Sequence, residues 1–453
     1  MIERQLRCSS VLSAAGWIGP ALLRLDTEGF ISAVESLPEN AAVDYGPIIP
    51  GMPNLHSHAF QRQMAGLSGL PGNNGDSFWS WRELMYSLAQ RIRPDQLLAI
   101  AAFLQLEMLE NGYTSCAEFH YLHHQPGGRP YDNPAELSAQ ILAAAEMSGI
   151  ALTLLPVLYC RSGFASEDVN QRQLRFRCSA DQYLELWSRC LAMTQGQPLQ
   201  RCGLAPHSLR AVAAQQLNEV LDACKNVDQP IHIHIAEQVG EVDECVAVLG
   251  ARPVQWLLAN QQVNERWCLV HATHMDAKEI SAALHSQSVI GLCPSTEADL
   301  GDGFFPIENW FNQLGSFGIG SDSNLRLAPS EELRMLEFQA RLQSGKRNVL
   351  TENGHSVGRS LYQRALTGGA QALGQKAGRI EPGYRADLVE LDKEHLLLAG
   401  RSEDVLLDSW ILAGDQSMLR SVWVGGRQQV AKGQHIAREK LQPAFRKAML
   451  ELL

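Results

Sequence analysis

Several things are scarce in this 453-residue chain. No stretch approaches the run of about 18 apolar residues that a membrane-crossing helix requires. The opening MIERQLRCSS has no apolar signal core, so secretion is not expected. Positive charge is in short supply: 38 Lys and Arg face 49 Asp and Glu, for a formal net charge of -11. That excludes a broad basic surface for nucleic acid or anionic lipid. An anionic small molecule would then need a local cluster of arginines. The ten cysteines show no CxxC pair and no dense framework. They read as buried, reduced thiols of a cytoplasmic protein. Internal repeats and low-complexity linkers are absent too.

What is present is a chain able to build a large core. Hydrophobic residues make up 45% and charged residues 19%, which excludes global disorder. Short apolar runs alternate with amphipathic stretches. Strands are predicted at 46–56, 113–119, 150–159, 202–207, 231–236, 267–271, 289–293 and 317–322. Helices are predicted at 94–110, 134–147, 213–224 and 277–285, the first ending at Asn111 and Gly112. Eight strands, most followed by helices, imply parallel pairing with right-handed crossovers. Their span suits an α/β fold of the (β/α)8, TIM-like kind better than an open sheet. The flanks differ, with short strand-like pieces separated by glycine turns. We expect a barrel over residues 49–378 and a small β-sandwich domain built from both chain ends, 1–48 and 379–453. The last segment, REKLQPAFRKAMLELL, reads as a terminal helix.

The run GMPNLHSHAF carries the chemistry. In a strand, alternate residues share a face, with Cα atoms about 6.5–7 Å apart. His56 and His58 can thus close on one metal ion, at Zn–N distances of about 2.0–2.1 Å. Other candidates end other strands: His232 and His234 in IHIHIAEQ, His271 in LVHATH and Asp322 in GIGSDSN. In a barrel, functional residues gather at such strand ends. Any one of these residues is ordinary, since strand-end histidines are commonly structural and an Asp in GSDS commonly caps a turn. The coincidence of four strand ends is not ordinary. Three His and one Asp would make an N3O site with room for water. His232 and His234 share a strand face, so spacing alone does not separate them.

These motifs resemble the aminohydrolase branch of the amidohydrolase superfamily, as does the closing run GRIEPGYRADLVELD. The runs HSHAFQRQMAGL, FWSWRELMY, LAPHSLRAV and CPSTEADLGDG are similar to one family within it, N-formimino-L-glutamate deiminase. The resemblance spans nearly the whole chain. It implies metal ligands His56, His58, His234 and Asp322, with His234 preferred because the branch reads His-x-x-Glu, here His234 and Glu237. His232 then becomes a residue one layer down the barrel. Lysine is missing from CGLAPHSLR, where binuclear relatives carry a bridging one, so one divalent ion is expected. Zinc is the default, and the ligand set also accepts Fe(II). Glu237 would shuttle a proton, Asp322 would take the water proton, and His271 would stabilise the attacked centre. The substrate implied is a small, dianionic amino-acid derivative. Arg82 and Arg210 would grip its carboxylates, with Gln61, Tyr121 and His207 as further contacts. Trp79 and Trp81 would pack the loop after the first strand. No nucleic-acid or membrane partner is expected, and a homodimer is, since relatives in the superfamily often pair. Two other readings stay open: a deaminase of a purine-like ring, resembling guanine deaminase, and a non-catalytic barrel that binds partners.

Overall fold

Among the described residues, two nine-stranded sheets organise the chain. The computed structural model describes residues 4–67, 78–352 and 354–452, without the side chains of Phe78 and Trp79. The first sheet is the barrel. Its strands run Met52–Ser57, Tyr113–His120, Ala151–Leu158, then Gln200–Cys202 with Ala205–Pro206, Ile231–Ile235, Trp267–His271, Val289–Leu292 and Phe317–Ile319. Pairing between them is parallel throughout. Isolated bridges Leu204–Ile231 and Ser208–His234 join the fourth strand to the fifth and close the ring. Strands such as Ala151–Leu158 are buried along their whole length, as expected of a parallel sheet covered by helices.

The second sheet joins the two ends of the chain. Tyr45–Pro50 pairs parallel with Arg4–Ser13 on one side and antiparallel with Leu388–Leu391 on the other. Its strands form one continuous hydrogen-bonded sheet around a small core that includes Leu6, Val11, Ile48, Leu388 and Trp423. The terminal helix Arg438–Leu452 packs on the barrel helix Pro94–Glu110, where the Phe445 and Phe103 rings stack 4.5 Å apart.

Two predicted strands are divided. The run 46–56 is split at Gly51, leaving its first half in the terminal sheet and its second in the barrel. Gly51 donates its N–H to the Asp387 carbonyl, and a Cβ there would meet Thr114 at 2.2 Å. Both halves are equally apolar, so periodicity does not register the change of sheet. The run 202–207 breaks at Gly203 and Leu204, where a Cβ on Gly203 would meet Leu155 at 2.5 Å. Among the described residues, no helix is long and apolar enough to cross a membrane. All ten cysteines are free and buried.

Candidate active site

Four of the sequence-predicted ligands converge at the C-terminal mouth of the barrel. One nitrogen from each of His56, His58 and His234 and one Asp322 oxygen lie within 4.8 Å of one another, all buried. The His56 and His58 Nε2 atoms are 3.2 Å apart, and those of His56 and His234 are 3.0 Å apart. Asp322 Oδ1 lies 3.5 Å from His56 Nε2 and 3.2 Å from His58 Nε2.

The hydrogen bonds behind the rings decide what these nitrogens present. His58 Nδ1 donates to the Phe119 carbonyl at 2.8 Å. His234 Nδ1 donates to the His207 carbonyl at 3.1 Å. Burial holds the His234 imidazole well below its ordinary pKa and takes His56 down to about 3. A neutral ring that donates from Nδ1 has only a lone pair on Nε2. The Nε2 lone pairs of His58 and His234 therefore both enter the cluster beside a carboxylate, an arrangement suited to a cation. Four donors bonded tetrahedrally at about 2.0–2.1 Å would stand about 3.3–3.4 Å apart. The observed spacings of 3.0–3.5 Å fit one small divalent ion.

His232 is elsewhere. Its Nε2 donates to the Ala372 carbonyl at 2.7 Å, at the end of the helix Val357–Leu373. That contact belongs to the barrel floor, because the neighbouring Leu373 carbonyl accepts from Thr153 of the third strand. Tertiary contact thus separates the two histidines that share a strand face.

His271 and Glu237 stand beside the cluster. His271 Nε2 is 3.7 Å from Glu237 Oε1 and 3.8 Å from Asp322 Oδ2, and its Nδ1 donates to Glu297 Oε1 at 3.2 Å. Burial disfavours its charge, but Glu237, Glu297 and Asp322 outweigh burial and lift it to about 10. Burial raises the Glu237 carboxyl, and nearby Asp322 adds to the rise against the pull of His271.

A cavity opens over this group. Gln61, Arg82, Tyr121, His207 and Arg210 all line it, together with Glu237 and His271. Gln61 Nε2 donates to the Tyr121 hydroxyl at 2.8 Å, and its Oε1 is buried without a partner. Arg210 is 8% exposed, and its Nη1 also lacks a partner. Arg161 fixes that loop by donating to the Leu209 and Arg210 carbonyls at 2.8 and 3.1 Å. Burial lowers the Arg82 pKa, and nearby Arg210 lowers it further. The two guanidiniums thus share one wall.

Trp81 departs from expectation. It lines the cavity, because the helix Phe78–Ala89 lies over the barrel mouth and turns Trp81, Arg82, Met85 and Tyr86 inward. The Trp79 side chain lies outside the described residues. Several supporting residues escaped sequence reasoning. Glu118 accepts from the Ala59 N–H at 2.6 Å, and Asn324 donates to the His58 carbonyl at 2.9 Å, bracing the histidine turn. Glu241 accepts from the N–H groups of Ala236 and Glu237 at 3.1 and 2.9 Å. It thereby steadies a turn in which Ala236 has φ +51°. Glu297 lies inside CPSTEADLGDG, a run whose family likeness signals importance without a role.

Comparison with known proteins agrees with this geometry. A model of the amidohydrolase family matches residues 48–428. The chain is 48% identical over 443 residues to a formimidoylglutamate deiminase of Pseudomonas aeruginosa, with 97% of each chain covered. A crystal structure of an amidohydrolase from Brucella melitensis superposes with a TM-score of 0.93 at 43% identity, covering 99% of both chains. An adenosine deaminase from Xanthomonas campestris, with bound zinc, shares the fold at 20% identity, with a TM-score of 0.82, covering 99% of this chain and 98% of that one.

Proposed function

This chain belongs to the amidohydrolase family, and from that premise we propose that it hydrolyses N-formimino-L-glutamate to N-formyl-L-glutamate and ammonia, in histidine breakdown. One observation carries the reading beyond the family. The His/His/His/Asp cluster borders the cavity, and the guanidiniums of half-buried Arg82 and buried Arg210 line it. A linear amidine with two carboxylates needs both, whereas a purine ring has no use for two arginines.

We assign His56, His58, His234 and Asp322 as the ligands of one divalent ion, zinc by preference. A divalent ion there acidifies water to a pKa of about 7 and so supplies a nucleophile at neutral pH. The remaining work falls to the protein. Asp322 takes the proton from the attacking water. The oxygen adds to the formimino carbon, and the bond from that carbon to its terminal nitrogen breaks. Glu237 relays to that nitrogen the two protons the water brought, one held by Asp322 and one left on the added oxygen, so that it leaves as ammonia and the formyl carbonyl forms. His271, set between Glu297 and the cluster, stabilises the attacked centre. Gln61 Oε1 accepts from a formimino N–H, and Tyr121 and His207 close the sides of the cavity. Arg210 and Arg82 hold the carboxylates.

Ten buried thiols suit a reducing compartment, so we assign the enzyme to the cytoplasm, and its likeness to superfamily members that often pair supports a homodimer. The test is ammonia release from N-formimino-L-glutamate, guanine and adenosine by the zinc-loaded protein. Release from the first alone is expected. Release only from a ring substrate would replace the reading with a purine deaminase. No release at all, with no stoichiometric metal, would favour the non-catalytic barrel.

A further inference from the structure

Beyond the arginines, the same wall of the cavity carries two phenols whose protons are steered by one buried amide. Tyr86 lies on the helix Phe78–Ala89, and Tyr159 directly follows the strand Ala151–Leu158. Both line the cavity and both are buried. Gln173 sits behind them in a turn of 3-10 helix, Gln171–Gln173, fully buried. Its Oε1 accepts from the Asn170 N–H at 3.1 Å. That bond fixes the amide's orientation, so the NH2 group faces the tyrosines. Gln173 Nε2 donates to the Tyr86 hydroxyl and to the Tyr159 hydroxyl, each at 2.8 Å.

Proton counting gives the consequence. A carboxamide nitrogen has two protons, and both are used. A phenol that accepts from an amide keeps its own proton to donate. The two hydroxyls also interact with each other, so one of those protons can be used between them. The other finds no acceptor among the described residues. The guanidinium of Arg210 lies in the field of both phenols, and its Nη1 is likewise without a partner. Of the carboxylates that line the cavity, Asp322 belongs to the histidine cluster, while Glu237 stands beside it and also lies in the field of Arg82 and Arg210. The unused phenol proton and the unpartnered Arg210 Nη1 are both donors, and a carboxylate, with about four acceptor sites, is the group that satisfies them.

We propose that Tyr86 and Tyr159 share one proton between their hydroxyls and present the other to a substrate carboxylate beside Arg210, and that Gln173 is the positioning residue that turns it there. The inference rests on the deiminase reading and adds a specificity device. A carboxamide in place of that carboxylate would set an NH2 group against donors, so the wall selects charge as well as shape.

The experiment compares Tyr86→Phe, Tyr159→Phe, the double variant and Gln173→Leu on three substrates. These are N-formimino-L-glutamate and its analogues lacking either the α-carboxylate or the side-chain carboxylate. For the full substrate, the double variant should raise KM about tenfold or more, with kcat nearly unchanged. The penalty should vanish for the one analogue that lacks the carboxylate these phenols face. Gln173→Leu should raise KM in the wild-type background and have little effect when both tyrosines are already Phe. An unchanged KM in the double variant, an equal penalty on all three substrates, or an undiminished Gln173→Leu effect in the double background would overturn the proposal. Each Tyr→Phe change removes one oxygen, so the single variants keep the test valid if Gln173→Leu misfolds. Wild-type failure on N-formimino-L-glutamate would instead overturn the deiminase reading itself.

Discussion

Replacing Arg210 by Met keeps most of the side chain's length and removes its charge. Arg210 is 8% exposed, with Nη1 unpartnered, so a substrate carboxylate would meet it with little screening by water. Removing one partner from a buried, hydrogen-bonded charge pair costs about 2–5 kcal/mol. At about 1.36 kcal/mol per tenfold, that is a loss of roughly thirtyfold to several thousandfold. Two features favour the lower half of the range. Arg82 shares the wall and still attracts the anion, and losing Arg210 relieves the repulsion that now lowers the Arg82 pKa. The carboxylate lies away from the reacting carbon, so its bonds stay alike in ground and transition states. The loss should therefore appear in KM, with kcat reduced less than about tenfold. The assay is steady-state ammonia release, with zinc content measured on the same samples. A KM within threefold of wild type at full metal content would refute the carboxylate clamp. So would a loss confined to kcat.

Other outcomes follow from the same geometry. Glu237→Gln should retain its metal and lose about 10²–10⁴-fold in kcat, the usual worth of a positioned acid–base group; kcat near wild type would remove Glu237 from the proton path. Dialysis against a chelator should abolish activity and lower Tm together, because the histidine lone pairs and Asp322 then lose their common cation. An unchanged Tm in calorimetry would contradict that coupling. Burial lifts the Glu332 carboxyl from its ordinary 4.5 to about 8, against hydrogen bonds from Ser295 that favour its charge. The folded state thus holds this proton more tightly than the unfolded one. The resulting stability is full below pH 4.5 and is lost as pH rises toward 8. Urea midpoints should fall over that window for wild type relative to Glu332→Gln, and parallel curves would disprove it.

Much of the site was legible because strand ends are legible. His56, His58, His271 and Asp322 each close an apolar run, and a closed barrel brings all such ends to one mouth. The His-x-x-Glu spacing likewise separated His234 from His232 only through family likeness; in the molecule, the bond from His232 to the Ala372 carbonyl separates them. The second rank of residues was hidden for a physical reason. Glu118 and Glu297 act on backbone or ring N–H groups that other segments bring near, and no local pattern encodes a distant donor. Trp81 and Tyr86 were obscured because a helix shows its apolar face alike to a core or to a cavity.

Local chemistry and periodicity, read from the sequence alone, determined the alternation of strands and helices, the ligand types, and a need for arginines in an acidic protein. Only tertiary structure decided which apolar run changes sheets at Gly51, which face of the helix Phe78–Ala89 looks into the cavity, and how Gln173 meets two tyrosines from different elements. Side-chain type and spacing along one element are properties of the chain itself. Donor, acceptor and lone-pair directions between elements exist only once the barrel has closed.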